Sequence, residues 1–305
     1  MSLTGTDRPR EAAGAPDRAS GGTSDGVPGS EAPPQAGKGP VPGLLRASAA
    51  RSSVELKAFF RNKQSLVFTL LFPVILLVVF GSIFSGKVEG TDTDFCQVFM
   101  AGVVAAGVMS TAFSGLAISV AIERDNGTVR RLALTPMPKA AYFLGKLARV
   151  VVTTVLETLL LIGIAVLAFG LPLPSTPGRW LTLAWCITLG TAACALAGVA
   201  YSAVIPNSRS ASAIVTPVFM VLQFISGVFF PFHQLPLWMQ NTAALFPVKW
   251  MAQGFRSVFL PDSFTAVEPA GSWESGRIAL ILALWAVGGL VATVLTFGWR
   301  GPRVR

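Results

Sequence analysis

The sequence predicts an all-α polytopic membrane protein with six transmembrane helices, an N-terminal amphipathic interface helix and short re-entrant outer helices between spans five and six. Three observations predict it. Apolar residues make up 52% of the 305 and charged residues only 13%, with a mean hydropathy of +0.61. The apolar residues gather into six blocks of roughly 20, the length that crosses about 30 Å of hydrocarbon as a helix. The blocks are continuous rather than alternating, which selects helices over a barrel.

Residues 1–43 are rich in Gly, Pro, Ala and Ser and hold no aromatic residue. They offer too little apolar surface to offset the entropy of ordering, so they read as a disordered cytoplasmic tail. The n-region and h-region order of a signal peptide is absent from them. Residues 44–305 then form the transmembrane domain.

From Leu44 to Gln64 the pattern is helical. Leu45, Ala49, Leu56 and Phe60 share one side with Phe59 beside them, and Arg46, Lys57 and Arg61 line an adjacent side. Such a helix lies on the cytoplasmic membrane surface ahead of the first span, with Leu56, Lys57, Phe60 and Arg61 as its candidate contact residues. The other reading is a plain extension of that span.

The spans are expected at about 66–85, 98–122, 150–170, 180–204, 211–230 and 278–299. Pro73 kinks the first and Pro217 lies in the fifth. Gly102, Ala106, Ser110 and Ser114 recur every fourth residue in the second span; Cys186, Gly190, Cys194, Gly198 and Ser202 do so in the fourth. Small residues at that spacing let helix backbones approach closely, and these faces are assigned to pairing between two subunits. Pro172, Pro174 and Pro177 make residues 171–178 a tight turn. Residues 231–276 carry five prolines and much apolar surface, too much for a free loop. Val248, Met251, Phe255 and Phe259 fall on one face of a short helix there, and Lys249, Gln253 and Arg256 on the other.

The segment from Glu123 to Leu147 is the most charged internal stretch. Arg124, Arg130, Arg131, Lys139, Lys146 and Arg149 lie in it or just after it. A basic connection between spans belongs on the cytoplasmic side. With the N-terminus inside, 19 basic residues lie on cytoplasmic segments against 5 outside, which puts both termini in the cytoplasm.

Composition excludes several classes. The net charge of +9 comes from basic residues flanking spans, without interleaved aromatics, so no nucleic acid is implied. Three cysteines and one histidine, His233, give neither a disulfide framework nor a metal spacing. No phosphate-cradling G-x-x-x-x-G-K-[ST] is present, and no catalytic residue, metal or cofactor is assigned. Glu157 is the one ionisable residue inside a span. It either faces the bundle interior on the substrate path and attracts a cationic compound, or it serves structure, paired with a polar group on a neighbouring helix or near Arg149 at the boundary.

Spans without an energy source, joined by a substantial cytoplasmic loop, point to a borrowed motor. Glu123-x-x-x-Gly127-Thr128-Val129-x-Arg131-Leu132-x-x-Thr135-Pro136 resembles the signature of the membrane subunits of type-2 ATP-binding-cassette exporters. The outer stretch LPLWMQNTAALFPVKWMAQGFRSVF is similar to that family's segment before the last span, and the likeness is nearest to drug-resistance permeases of the daunorubicin-exporter kind. The resemblance implies that 44–305 is a type-2 ABC transporter transmembrane domain in a bacterial plasma membrane. It implies a cytoplasmic ABC ATPase subunit pair that binds the ATP, and a second permease subunit, identical or a paralogue. It also implies that Glu123, Gly127, Thr128, Arg130, Arg131, Leu132 and Pro136 couple to that ATPase, together with the interface helix. Residue by residue, Gly127 allows a turn, Thr128 can cap the following helix, and Pro136 and Pro138 end it stiffly. The alternatives are an ion-gradient-driven secondary transporter, which needs more intramembrane acids, and a non-transporting membrane scaffold.

Overall fold

A computed structural model of the chain describes residues 43–84 and 86–297. The expected disordered tail and the C-terminal arginines lie outside those residues. Among the described residues the chain is helical, and its one strand-like pairing is a single bridge between Lys87 and Asp94.

Helix α1 (Leu44–Arg61) and helix α2 (Lys63–Ile83) are separate elements. Asn62 breaks them at φ −84°, ψ 81°, and its side chain accepts a hydrogen bond from the Ser65 N–H at 3.1 Å, starting α2. The N-terminal helix is therefore not an extension of the first span, and it packs mainly on α6 (Lys139–Phe169).

The second apolar block runs as α3 (Phe95–Met109), a π-helical turn at Ser110–Ser114, and α4 (Gly115–Asp125). The short α5 (Thr128–Ala133) precedes α6, which begins well ahead of the expected 150. Tyr142, Lys146 and Arg149 thus belong to a helix rather than to a loop. Helix α7 (Pro177–Tyr201) starts on Pro177, a residue suited to the first helical position because the missing N–H has no partner there anyway.

Five stretches are long and apolar enough to cross a membrane: Lys63–Ile83, Phe95–Asp125, Lys139–Phe169, Pro177–Val204 and Ser275–Thr296. The fifth expected span, 211–230, is shorter than predicted. Its helix α8 (Ala211–Ile225) holds 15 residues, about 22 Å at 1.5 Å per residue. It stops because Gly227 turns left-handed at φ 71°, and the Val228 backbone then packs on Gly102. The segment after α8 folds into α9 (Leu237–Ala243), α10 (Pro247–Phe259) and a 3-10 turn at Asp262–Val267, followed by α11 (Ser275–Thr296).

Helix α10 is central to the packing of this segment, with all 13 of its residues buried. It packs on α3, α7 and α11. Its polar face is paired from within, apart from Arg256 Nη1. Arg256 Nε donates to Glu268 Oε1 at 2.6 Å, with the two side chains 1% and 3% exposed. Lys249 donates to Gln253 Oε1 at 2.6 Å and lies 3.5 Å from the Trp250 ring centroid.

The small-residue stripes are used inside one chain, where the sequence reading assigned them to pairing between subunits. Any Cβ on Gly102 would overlap the Val228 carbonyl. On Gly190 it would press on Met251, on Gly198 on Phe113, and on Gly254 on Cys186. Close packing of this kind stands in for the hydrophobic driving force that lipid cannot supply between helices.

Candidate functional site

Where α1, α4 and α6 meet, five charged side chains close into one network. Lys146, only 2% exposed, is its centre. It reaches both carboxylate oxygens of Glu55 on α1, at 3.0 and 3.1 Å, pairs with Glu123 on α4, and donates to Ser119 Oγ at 3.1 Å. Arg51 donates to Glu55 at 2.5 Å and lies 3.9 Å from Glu123. Arg149 is 3.9 Å from Glu55, and the Tyr142 hydroxyl donates to Glu123 Oε2 at 2.7 Å.

Helical spacing explains the convergence. Arg51 and Glu55 are four apart on α1, Ser119 and Glu123 four apart on α4, and Tyr142, Lys146 and Arg149 four and three apart on α6, so each set shares a face. Gly145 lets the helices meet: a Cβ there would overlap Cγ of Arg51. Burying charges is costly unless each finds its partners, and only one seating of α1 on α4 and α6 supplies them all. The network therefore sets the register of the three helices.

Helix α5 hangs from this clamp. Gly127 takes the left-handed conformation at φ 75°, which a side chain would strain. The sequence reading gave the cap of α5 to Thr128; the structure gives it to neighbours instead. Gly127 occupies the cap position, and Asn126 Oδ1 accepts from the Thr128 N–H at 3.0 Å. The Thr128 hydroxyl accepts from Arg131 at 3.2 Å. Val129 is buried and anchors the helix, Leu132 is half-buried, and Arg130, Arg131 and Pro136 are exposed. Pro138 then leads directly into α6.

A second tether runs to the connection between α7 and α8. Arg124 donates to the Ser202 carbonyl at 2.8 Å. Asp125 accepts from the Ser208 N–H at 3.0 Å and from its hydroxyl at 2.6 Å. The end of α4, directly before α5, is thus tied to α1 and α6 on one side and to the α7–α8 connection on the other.

Of the residues expected from sequence, Gly127, Thr128, Arg130, Arg131, Leu132 and Pro136 cluster on α5 and its flanks. Glu123, expected at the water boundary, turns inward to Lys146 and Tyr142. On α1, Leu56 is half-buried, while Lys57, Phe60 and Arg61 are exposed. The seated face of α1 is instead Ala47, Arg51, Glu55 and Phe59, at intervals of four. Arg51 and Glu55 were missed because the reading ranked positions by apolar side; an acid and a base at i, i+4 were the available signal.

Glu157 lies apart from this site. It is 2% exposed, accepts from the Thr111 hydroxyl at 3.0 Å within the π turn, and packs on Gly107. It forms no ion pair among the described residues, so the alternative beside Arg149 is not what the structure shows. Among the described residues no group of three or more His, Cys, Asp and Glu side chains is placed to hold a metal.

Residues 50–260 match the family model described as ABC-2 type transporter. The chain is 26% identical over 221 residues to the inner membrane transport permease YadH of Escherichia coli (strain K12), a stretch covering 69% of this chain and 83% of that protein. The match to YadH of Shigella flexneri has the same identity and extent. Against the putative transport permease ycf38 of Porphyra purpurea, it is 22% identical over 246 residues, 77% of this chain and 83% of the relative. The family match runs from α1 to the end of α10 and takes in the whole clamp, so the chain belongs to the ABC-2 type transporter family and is a multi-pass membrane permease.

Proposed function

We propose that this permease is the membrane-spanning subunit of an ATP-driven exporter in a bacterial plasma membrane. Both termini lie in the cytoplasm, a separate ABC ATPase pair supplies the energy, and a second permease subunit, identical or a paralogue, completes the pathway. The observation that carries the reading is the mounting of α5. It is short, exposes Arg130 and Arg131, is set at its start by the left-handed Gly127 and followed by Pro136, and lies between α4 and α6, which buried ion pairs tie to each other and to α1.

Closure of the ATPase pair on ATP pushes α5 and the exposed side of α1. Because Glu55, Glu123 and Lys146 hold α1, α4 and α6 in register, the three helices tilt together. Arg124 and Asp125 carry the same motion to the α7–α8 connection. The buried α10 and its neighbours then gate the outer exit. No side chain performs covalent chemistry.

The cargo is an amphipathic drug or lipid-like molecule. Supporting this is a cavity of about 550 Å³ among α7, α8, α10 and α11, walled by Phe113, Tyr201, Leu222, Trp285 and other apolar residues. That volume suits a small-molecule site, which typically spans about 300–1,000 Å³.

Co-expression with an ATPase encoded beside the permease tests the reading. Arg130→Glu with Arg131→Glu should cut co-purification and cargo-stimulated ATP turnover at least tenfold, leaving permease abundance unchanged. Export that survives the double substitution and vanadate but stops with a protonophore would replace the motor reading with an ion-gradient one.

A further inference from the structure

The second membrane-crossing stretch is not one regular helix. Between α3 and α4 it takes the π-helical turn at Ser110–Ser114, where the Gly115 N–H bonds the Ser110 carbonyl, five residues back rather than four. Neither Gly nor Pro stands among Ser110, Thr111, Ala112, Phe113 and Ser114, so the local sequence does not force the turn. Packing on both sides holds it. Upstream, Gly102 of α3 is seated on the Val228 backbone. Downstream, Glu123, Arg124 and Asp125 tie the end of α4 to Lys146, to the Ser202 carbonyl and to Ser208. The turn takes up the extra residue between two pinned halves, and turns of this kind recur at functional sites.

Two of its side chains point opposite ways. Thr111 and Phe113 are two positions apart, nearly half a turn on a helix. The Thr111 hydroxyl donates to Glu157 Oε2 at 3.0 Å. Glu157 is 2% exposed, and its Oε1 has no hydrogen-bond partner among the described residues and lies where a Cβ on Gly107 would be. Burying a carboxyl on a single hydrogen bond is costly, so that one bond calls for a role. Phe113, on the other side of the turn, lines the cavity of about 550 Å³, with its ring 5.5 Å from that of Tyr201. Glu157 itself does not line that cavity.

We propose that Glu157 is a positioning residue for the cargo cavity: by holding Thr111 it keeps the turn wide, and so keeps the Phe113 ring in the cavity wall. Without that hold the turn closes to ordinary helix. Closure rotates Phe113 by one residue's worth, about 100° at 3.6 residues per turn, and the ring leaves Tyr201. Movement of α4 under the clamp reaches the cavity through the same joint. The assignment rests on the reading of this cavity as the cargo site.

Fluorine NMR of the full-length permease, purified in detergent with para-fluorophenylalanine in place of Phe113, reads the ring directly and needs no ATPase. The labelled wild-type protein should give one resonance, displaced by phenylnaphthylamine, a neutral apolar probe. Gly288 is exposed, lines the cavity and has nothing within 4 Å of an added Cβ, so Gly288→Phe should fill the mouth and abolish the probe's effect. Glu157→Ala and Thr111→Val should each displace or split the resonance and weaken probe binding at least fivefold. Glu157→Gln and Thr111→Ser keep the acceptor and the donor and should preserve both readouts. Phe264→Ala, in the small separate core with Val88, Val98 and Leu260, should lower thermal stability and leave the resonance in place. A resonance unmoved by Glu157→Ala and Thr111→Val, with the probe still bound, overturns the assignment alone. So does a resonance moved as far by Phe264→Ala, which would mean general loosening. A resonance that moves with Glu157→Ala while the wild-type protein ignores the probe overturns the cargo reading of the cavity, and this assignment with it.

Discussion

Lys146 and Glu55 stand 91 positions apart in the chain and form an ion pair 3.0 Å long, with side chains 2% and 8% exposed. Glu123 completes the triad from a third helix. Removing one member of a buried pair costs about 3–5 kcal/mol, because the charge left behind has lost its compensation. Lys146→Met should therefore lower stability by about that much, leaving two carboxylates with Arg51, Arg149 and the Tyr142 hydroxyl as their described partners. Glu55→Gln should cost less, since Lys146 keeps Glu123. The double substitution should cost less than the sum of the singles, a coupling that thermal unfolding of the detergent-purified protein can measure.

Gly145 tests whether the seating of α1 matters apart from its charges. A methyl group there overlaps Cβ and Cγ of Arg51, atoms too near the backbone to swing aside. Gly145→Ala should cost about 1–3 kcal/mol, the usual penalty for overpacking, and should uncouple ATP turnover from transport. Arg51→Ala in the same chain removes the Cγ overlap and should recover part of the stability. A Gly145→Ala protein with wild-type stability and coupling would show that α1 is free to slide on α6.

The sequence made the membrane class and the α5 segment legible, because mean hydropathy, basic flanks and a left-handed Gly127 are local properties. Charge convergence was not legible. Glu55, Glu123 and Lys146 come from three separate stretches, and each alone looks like a solvated residue near a span end. The length of α8 was hidden for a similar reason. Val228, Phe229 and Phe230 continue an apolar block, yet the helix ends at Ile225 because Gly227 turns and the Val228 carbonyl must meet Gly102. Spacing showed the small-residue stripes correctly, but spacing cannot say whether the partner helix belongs to the same chain.

That last point can be checked directly. Gly102→Ala puts a methyl group into the Val228 carbonyl, which is backbone and cannot rotate away. Gly163→Ala, in α6, meets nothing within 4 Å. The first should lose about 1–3 kcal/mol of stability in an isolated protomer. The second should be neutral or gain up to about 1 kcal/mol from helix propensity. Were Gly102→Ala to leave protomer stability intact and instead weaken association between subunits, the stripe would belong to the dimer interface.

Arg256 and Glu268 pose the corresponding question at the opposite end of the helices from the clamp, around α10. Their ion pair is nearly inaccessible and bridges α10 to the segment just before α11. Arg256 Nη1 has no hydrogen-bond partner among the described residues, so the pair bears part of its desolvation cost uncompensated. Glu268→Gln should cost about 3–5 kcal/mol, since a full guanidinium charge is then left in the core. Arg256→Met with Glu268→Met replaces both charges by chains of similar bulk and should recover most of that loss. Transport separates the two roles the pair can have. If it is only a strut, the double variant exports cargo at the wild-type rate. If it is the latch of the outer gate, the same variant is stable, still turns over ATP with its motor, and leaks cargo back across the membrane.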